Sequence, residues 1–256
     1  MKLTVLGSGT SVPHRTRTSS AYWLQTSGGT FLLDCSPTAA RRMAEEGLDW
    51  ASLDAIWISH FHVDHCGGLI SYLAGTKHAV ATRSRTKPLK ILGPVGLGSL
   101  IERMDAVGNY RLTEQPFSVE IVEVEPLESF QLLNGIEAIA LKTPHTNESL
   151  AIRILDGEST IVFSADTGVL KTLATFANQV DLFILECSFF KNKTTEKHLE
   201  LAEAMYLIRK AKPKRAMLTH FYPEWDDVDF NKEVTKFDPF CEVIEATDGL
   251  RLNVLE

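Results

Sequence analysis

The chain has 256 residues, of which 44% are hydrophobic and 23% charged, and its formal net charge is −7. This composition is typical of a soluble globular protein. The negative charge argues against a general affinity for long nucleic acids, although a local basic patch could still bind a phosphate. The four cysteines form no C-x-x-C pair, and no stretch approaches the length of a membrane span. We therefore expect reduced thiols, a cytoplasmic location and no membrane contact.

Short apolar runs bounded by turn residues predict strands throughout the chain. In chain order the predicted strands are 2–6, 21–25, 30–34, 54–59, 89–92, 119–124, 136–142, 150–155, 160–164, 181–185, 215–218, 241–245 and 251–255. Segments with helical character lie between them, and the predicted helices are 37–46, 68–73, 96–104, 169–176 and 197–210. Because no internal repeat or linker-like stretch interrupts this order, we expect one α/β domain over residues 1–256, built from two packed sheets.

A cluster of polar side chains ends the predicted strand 54–59. His60, His62, Asp64 and His65 place three imidazoles and one carboxylate within six residues, just before Gly67 and Gly68. Buried without partners, such groups would carry a large desolvation penalty. Imidazole nitrogens and carboxylate oxygens suit zinc, manganese or iron(II). The segment therefore predicts a metal site.

Three later polar residues each follow a predicted strand, namely His145, Asp166 and His220. A loop at the end of a strand can carry such a side chain towards a common face of the sheets. With the first cluster they make seven candidate ligands. A single structural zinc needs only about four ligands, so the set suffices for two metals if one residue bridges them.

The order H-x-H-x-D-H, then His, Asp and His, resembles the metallo-β-lactamase superfamily, and the resemblance covers nearly the whole chain. It implies a four-layer αββα sandwich with the metals at one edge of the paired sheets. Further motifs are similar to the ribonuclease Z-like phosphodiesterase branch. They are LGSGTS at 6–11, LLDC at 32–35, ILGPVGL at 91–97, SLAIR at 149–153 and SADT at 164–167.

The resemblance also implies the ligands of two divalent metal ions, with zinc expected and manganese or iron(II) acceptable. One ion would be held by His60, His62 and His145, the other by Asp64, His65 and His220, with Asp166 as the bridge. Two cations that share a carboxylate lie about 3.5–4 Å apart and can hold a hydroxide between them. Asp64 would in addition orient or deprotonate the attacking water.

Three more residues are candidates for the site. His198 matches a histidine that assists phosphate chemistry in the ribonuclease Z branch, and the predicted helix start at 197 would favour an anion there. Glu186 lies in a segment that resembles the H-E-A-T motif of that branch, with Leu185 in the position of its histidine. Asp34 could accept the second N–H of a ligand histidine or simply form a turn.

The resemblance implies a phosphodiesterase that acts on a small molecule or a short oligonucleotide. Bacterial tRNA 3′-processing enzymes carry a long arm between the third histidine and the aspartate, whereas only two predicted strands separate His145 from Asp166. A tRNA 3′-processing endonuclease is therefore a less favoured hypothesis.

Other functions of the same fold remain open or are disfavoured. Lactone or thioester hydrolysis at the same two metals stays an alternative, and so does metal binding without turnover. Zinc β-lactamases place a cysteine at the position of Asp166, and the di-iron redox proteins replace His62 with glutamate, so both classes are disfavoured. A homodimer is compatible with the sequence, which does not specify the oligomeric state.

Overall fold

The computed structural model describes residues 1–255 and contains two seven-stranded sheets. The first consists of β1 (Lys2–Gly7), β2 (Ala21–Thr26), β3 (Gly29–Leu33), β4 (Ala55–Trp57), β5 (Leu89–Pro94), β6 (Val119–Val124) and β14 (Arg251–Asn253). The second consists of β7 (Ser129–Leu133), β8 (Ile136–Lys142), β9 (Leu150–Asp156), β10 (Ser159–Phe163), β11 (Leu182–Glu186), β12 (Arg215–Thr219) and β13 (Glu242–Glu245). The strand orders are β14-β1-β2-β3-β4-β5-β6 and β13-β12-β11-β10-β9-β8-β7.

Helices cover the outer faces of both sheets. They are α1 (Ala39–Glu45), α2 (Val63–Cys66), α3 (Gly68–His78), α4 (Leu97–Ala106), α5 (Lys171–Phe176), α6 (Leu201–Ala211) and α7 (Phe230–Thr235). Buried residues of α1, α3 and α4 share one hydrophobic cluster with the first sheet, and those of α5, α6 and α7 share another with the second sheet. The layers are therefore helix, sheet, sheet, helix, which confirms the predicted αββα sandwich.

The period-two alternation of the strands separates these two cores. In β3, Phe31 and Leu33 point into the cluster between the sheets, while Leu32 belongs to the cluster under the outer helices. All three side chains are fully buried. Burying one such side chain stabilises the fold by about 1.5–3 kcal/mol. Because alternate side chains of a strand are buried on opposite faces of its sheet, each sheet is held to the layers on both sides.

Strand direction brings the carboxyl ends of several strands to one edge of each sheet. Strands β3 to β6 pair in parallel, and so do β10 to β13. Strand β8 runs in the same direction as β10, because both are antiparallel to β9. The two sheets meet at this edge, where the Leu150 N–H donates to the Ser59 carbonyl at 3.0 Å. Loops after strands of both sheets therefore converge.

The predicted helix 197–210 begins later than expected. Helix α6 starts at Leu201, because Glu200 forms a reciprocal capping box with Glu203. Residues 197–200 are therefore not helical, and His198 does not lie at a helix N-terminus. The pattern also missed β7 and α7, and the predicted strand 251–255 ends at Asn253.

All four cysteines are free within residues 1–255, as expected for reduced thiols. Burial raises the pKa of the Cys66 thiol to about 12, which keeps it protonated and inert. No helix in the same range is long and apolar enough to cross a membrane.

Candidate metal centre

The first four candidate ligands lie on a loop and a single helical turn after β4. His60 and His62 belong to the loop, and α2 begins at the next residue, so Asp64 and His65 share its one turn. His60, Asp64 and His65 are buried, whereas His62 is exposed. The local fold thus directs four side chains of one short segment towards the same cluster.

Glycine allows this turn to pack against the loop that follows β3. The Gly68 N–H donates to the Cys35 carbonyl at 2.8 Å, and the Cys35 N–H donates to the His65 carbonyl at 2.7 Å. A Cβ at position 68 would lie 2.1 Å from the Ser36 carbonyl oxygen. No other residue type fits this close approach of two backbones.

Asp166 lies at the centre of the cluster, in the loop after β10. Its Oδ2 is 3.7 Å from His60 Nε2 and 3.5 Å from His145 Nε2. Its Oδ1 is 3.4 Å from Nε2 of both His65 and His220. Each carboxylate oxygen therefore faces a different pair of imidazoles, which is the arrangement that a bridging ligand requires.

Asp64 approaches only the second pair. Its Oδ2 lies 3.6 Å from Nε2 of His65 and 3.6 Å from Nε2 of His220. Two groups result whose possible ligand atoms all lie within 4.8 Å of one another, namely His60, His62, His145 and Asp166, and Asp64, His65 and His220. The first group contains the three ligands that the resemblance implied for one ion together with Asp166, and the second contains the three implied for the other ion.

The buried imidazole nitrogens fit a cation. Nε2 of His60, His65 and His220 is buried and has no hydrogen-bond partner within residues 1–255. A buried polar atom left unpaired costs about 1–3 kcal/mol. Three such atoms converge on one carboxylate, and two divalent metal ions with nitrogen and oxygen ligands would satisfy all of them.

Hydrogen bonds at Nδ1 orient these rings. His65 Nδ1 lies 2.7 Å from Asp34 Oδ2, and His145 Nδ1 lies 3.0 Å from the Lys197 carbonyl oxygen. Both partners accept, so Nδ1–H is the donor in each contact, and Nε2 is the nitrogen that faces the cluster. Asp34 thus contacts a candidate ligand histidine, which is one of the two roles that its sequence context left open.

Glu186 is the second buried carboxylate beside the cluster. Its Oε1 lies 2.9 Å from His198 Nδ1 and accepts from the Thr167 N–H at 2.7 Å. Its Oε2 accepts from the Ser188 hydroxyl at 2.7 Å and from the Leu199 N–H at 3.1 Å. Glu186 therefore holds the loop that carries His198 and sets the orientation of that ring.

Electrostatic shifts mark the cluster as unusual. Burial lowers the pKa of His60 well below its ordinary value, and the neighbouring His65 lowers it further. Burial opposes protonation of His65 as well, but Asp166 and Asp34 raise its pKa well above the usual range. Burial would raise the pKa of Asp166, yet the imidazoles of His220 and His65 hold it well below its ordinary value. Opposed shifts of this kind are typical of functional sites.

His198 is held as a proton donor. Burial acts against its charged form, but the hydrogen bond to Glu186 and the charge of that carboxylate raise the pKa of His198 to about 9. Its ring lies 4.8 Å from the His145 ring and stacks on the His220 ring at 5.5 Å. His198 also forms a possible ligand group with Asp166 and His220. The bond from its Nδ1 to Glu186 favours a role beside the metals.

Three residues at the site have a strained backbone conformation. Asp34, Ala165 and His220 have φ angles of 61°, 51° and 62°, in the left-handed region that residues other than glycine seldom adopt. Each is a candidate site residue or directly precedes one. The surrounding contacts hold them there, as with the Phe221 N–H, which donates to the Ser8 carbonyl at 3.0 Å.

An open cleft of about 660 Å³ adjoins the cluster on the side of His62 and His145. It is also lined by Phe61, Pro144, Thr146, Asn147, Glu148 and Lys197. The cleft combines an aromatic ring, an amide, a carboxylate and an ammonium group. Such a mixture suits a small polar ligand with a ring system.

The structure thus brings together all ten residues that the sequence singled out for the site. Sequence reasoning missed Ser59, Ser188 and the carbonyl of Lys197. The two serines had a signal, because Ser59 directly precedes His60 and Ser188 lies two residues after Glu186, on the same loop. No sequence signal marks the Lys197 carbonyl, since every residue has a backbone carbonyl.

Comparisons with known proteins agree with this fold. A ribonuclease Z of Methanococcus maripaludis is 25% identical over 97% of this chain and 96% of its own length. A ribonuclease Z of Methanosarcina acetivorans is 30% identical over 61% of this chain and 48% of its own length. The metallo-β-lactamase fold protein YhfI of Bacillus subtilis superimposes with a TM-score of 0.79 and 24% identity, covering 98% of both chains.

The predicted metallo-β-lactamase fold and the predicted similarity to ribonuclease Z are therefore confirmed. A family model described as "Anti-Pycsar protein Apyc1" matches residues 1–244. Since this match spans nearly the whole chain, the protein belongs to the anti-Pycsar protein Apyc1 family.

Proposed function

We propose that this chain is a two-metal phosphodiesterase that hydrolyses a small or short nucleic-acid phosphodiester. The observation that carries the proposal is the position of Asp166, whose two oxygens each face a separate pair of imidazoles. The relatives named ribonuclease Z support a hydrolase that acts on phosphodiesters. The family to which the chain belongs is described as an anti-Pycsar protein. We propose that the chain acts against Pycsar by hydrolysing such a phosphodiester.

Two divalent ions would be held by the predicted ligands. The first would bind His60, His62 and His145, the second Asp64, His65 and His220, and Asp166 would bridge them. When bound, such ions activate water at neutral pH and stabilise charge that develops on phosphoryl oxygens. Zinc is the proposed native metal, because nitrogen-rich sets with carboxylates suit it.

Asp64 is proposed as the residue that orients the attacking water. Its Oδ2 faces His65 and His220, and the side chain is buried. Burial would raise the pKa of Asp64, but the neighbouring imidazoles of His220 and His65 lower it, so its carboxylate stays charged and can accept a hydrogen bond from the water.

His198 is proposed as the acid that protonates the leaving oxygen. Its Nδ1 is occupied by Glu186 at 2.9 Å, so its Nε2–H is the proton that can be transferred. The raised pKa of His198 keeps this proton in place at neutral pH. Glu186 stabilises the charged ring but does not itself contact the substrate.

The cleft beside His62 and His145 supports a small substrate. A cleft of about 660 Å³ accommodates one or a few nucleotides. Lys197 lies at its rim with an exposed side chain and can attract the negative charge of a phosphodiester. The acidic net charge of the chain agrees with a substrate of limited size.

A substrate panel tests the proposal. The zinc-loaded protein is assayed with bis(p-nitrophenyl) phosphate, a 3′,5′-cyclic mononucleotide, a dinucleotide, a precursor tRNA, a thioester and a lactone. We expect cleavage of the small diesters, with Lys197→Ala raising KM for the nucleotides. Cleavage of only the thioester or lactone would replace this proposal with the carbonyl alternative, and preferred cleavage of the tRNA would refute the small substrate.

The proposals of zinc, a homodimer and a cytoplasmic location need separate measurements. Metal analysis of the purified protein identifies the ion, and light scattering gives the mass in solution for comparison with the 28.5 kDa of one chain. A fluorescent fusion shows the location in the cell.

A further inference from the structure

We propose that Ser59 and Ser188 are matched positioning residues, each of which connects a buried carboxylate, already bonded to one histidine, to a different histidine that is a metal ligand. Ser59 would connect Asp34 to His60, and Ser188 would connect Glu186 to His220. This inference rests on the proposed two-metal site. It assigns each serine to a different metal ion.

The first connection has three short contacts. The Ser59 hydroxyl donates to Asp34 Oδ2 at 2.9 Å, and the Ser59 N–H donates to Asp34 Oδ1 at 2.8 Å. The same hydroxyl oxygen lies 3.0 Å from His60 Nδ1. Asp34 meanwhile bonds His65 directly at 2.7 Å. One fully buried carboxylate therefore serves two histidines, one directly and one through a serine.

The second connection repeats this arrangement in the other sheet. The Ser188 hydroxyl donates to Glu186 Oε2 at 2.7 Å, and its oxygen lies 2.9 Å from His220 Nδ1. Glu186 bonds His198 directly at 2.9 Å. Ser188 also lies 3.2 Å from His198 Nδ1, but that nitrogen already has the shorter contact with Glu186. His220 is thus the histidine that depends on the serine.

The direction of these hydrogen bonds follows from the carboxylates. A charged carboxylate only accepts, so each serine O–H donates to it and the serine oxygen accepts from Nδ1–H of the histidine. Nε2 then carries a lone pair. In the opposite arrangement Nε2 would bear a proton, yet this atom is buried in both His60 and His220 without a partner within residues 1–255. A proton on Nε2 would also prevent this nitrogen from binding a metal ion.

The two serines serve different groups of ligands. His60 belongs to the group with His62 and His145, and His220 belongs to the group with Asp64 and His65. Partners that orient a ligand in this way change metal affinity by about 10–100-fold when they are removed. Loss of either serine should therefore weaken one ion and spare the other.

Zinc competition against a chromophoric chelator tests this inference in the full-length protein. Ser59→Ala and Ser188→Ala should each lower the affinity for one of two Zn²⁺ ions by about 10–100-fold. In a His62→Ala background, where only the second group is intact, Ser188→Ala should still weaken binding, whereas Ser59→Ala should change it by about twofold or less. In an Asp64→Ala background, where only the first group is intact, Ser59→Ala should weaken binding, whereas Ser188→Ala should change it by about twofold or less.

Ser159→Ala is the matched control. Ser159 is buried, and its hydroxyl has no hydrogen-bond partner in the described part of the chain. It begins β10, at the end opposite Asp166. This variant should bind both ions as the wild type does, and thermal unfolding of the zinc-free proteins shows whether the site variants still fold.

The outcomes separate this inference from the proposed function. If the wild type binds two ions tightly and both serine variants bind them with the same affinity, the inference is wrong and the two-metal site stands. No zinc binding by the wild type would overturn both. Equal weakening in both backgrounds would overturn the assignment of each serine to one ion.

A measurement on the wild type needs no variant to fold. Nitrogen-15 spectra of the zinc-free protein distinguish the two tautomers of each histidine. We expect His60 and His220 to carry the proton on Nδ1, although free histidine in water favours Nε2. A proton on Nε2 of either ring would contradict the corresponding connection.

Discussion

Asp34 and Glu186 occupy equivalent positions in two different sheets. Asp34 directly follows β3, Glu186 ends β11, and both side chains are almost fully buried. Each lies within 3 Å of Nδ1 of one histidine, at 2.7 Å for Asp34 with His65 and 2.9 Å for Glu186 with His198. The strand ends of the two sheets thus contribute one buried anion each to opposite sides of the candidate metal centre.

The central carboxylate leads to the first prediction. Asp166→Ala removes both oxygens that face the imidazoles, so the zinc content should fall towards zero and the activity by about 1000-fold or more. Metal analysis and phosphodiester hydrolysis check this on the same preparation. Asp156→Ala is the control, because this aspartate only accepts hydrogen bonds from Ser27. A variant that lacks Asp166 and keeps two ions would contradict the bridging role.

His198 leads to a prediction about the leaving group. Without the proposed acid, His198→Ala should slow release of a nucleoside alkoxide by about 100–10,000-fold. Release of p-nitrophenolate, which needs no protonation, should slow much less. Rates with a dinucleotide and with bis(p-nitrophenyl) phosphate are compared at equal zinc content. His78→Ala, at an exposed helix residue, is the control. Equal losses on the two substrates would argue against proton donation by His198.

Much of the fold and the centre could be predicted from local patterns. Period-two apolar runs marked most of the strands, and polar residues directly after them marked the ligands. His60, Asp166 and His220 needed no knowledge of distant contacts, because each follows its strand in the printed sequence. The αββα layers followed from the resemblance and not from periodicity.

Other features depended on contacts that no local pattern shows. Helix α6 begins at Leu201 because two glutamates cap each other, and glutamate is not a typical N-cap residue. The serine at 188 reaches His220 only when β11 and β12 pair in the sheet. Asp34 could equally have formed a turn until His65 came within 2.7 Å of it.

Gly168 leads to a prediction about packing beside the centre. A Cβ at this position would lie 2.0 Å from the Glu196 carbonyl oxygen, on the loop that carries His198. Gly168→Ala should therefore destabilise the protein by about 1–3 kcal/mol and lower activity by displacing this loop. Gly75→Ala is the control, since a Cβ there meets nothing within 4 Å and should stabilise α3 by about 0.5–1 kcal/mol. Urea unfolding and kinetics measure both effects, and equal behaviour of the two variants would contradict the prediction.

Asp181 leads to a prediction about stability at low pH, away from the metal centre. Its Oδ2 accepts from the Thr160 N–H at 2.7 Å, and its Oδ1 pairs with Lys214 Nζ at 2.7 Å. Burial would raise the pKa of Asp181, but the hydrogen bonds from Lys214 and Thr160 lower it below its ordinary value.

Because the folded pKa of Asp181 is below the unfolded one, its contribution to stability is complete above the unfolded value of about 3.9 and is lost as pH falls through the folded pKa. Asp181→Asn should therefore lower the free energy of unfolding by about 1.5 kcal/mol at pH 7 and by less at pH 3. Urea unfolding of the zinc-free protein measures both values without a contribution from bound metal. Asp156→Asn, at the half-buried end of β9, is the control. An equal loss at both pH values for Asp181→Asn would show that the charge of Asp181 does not stabilise the fold.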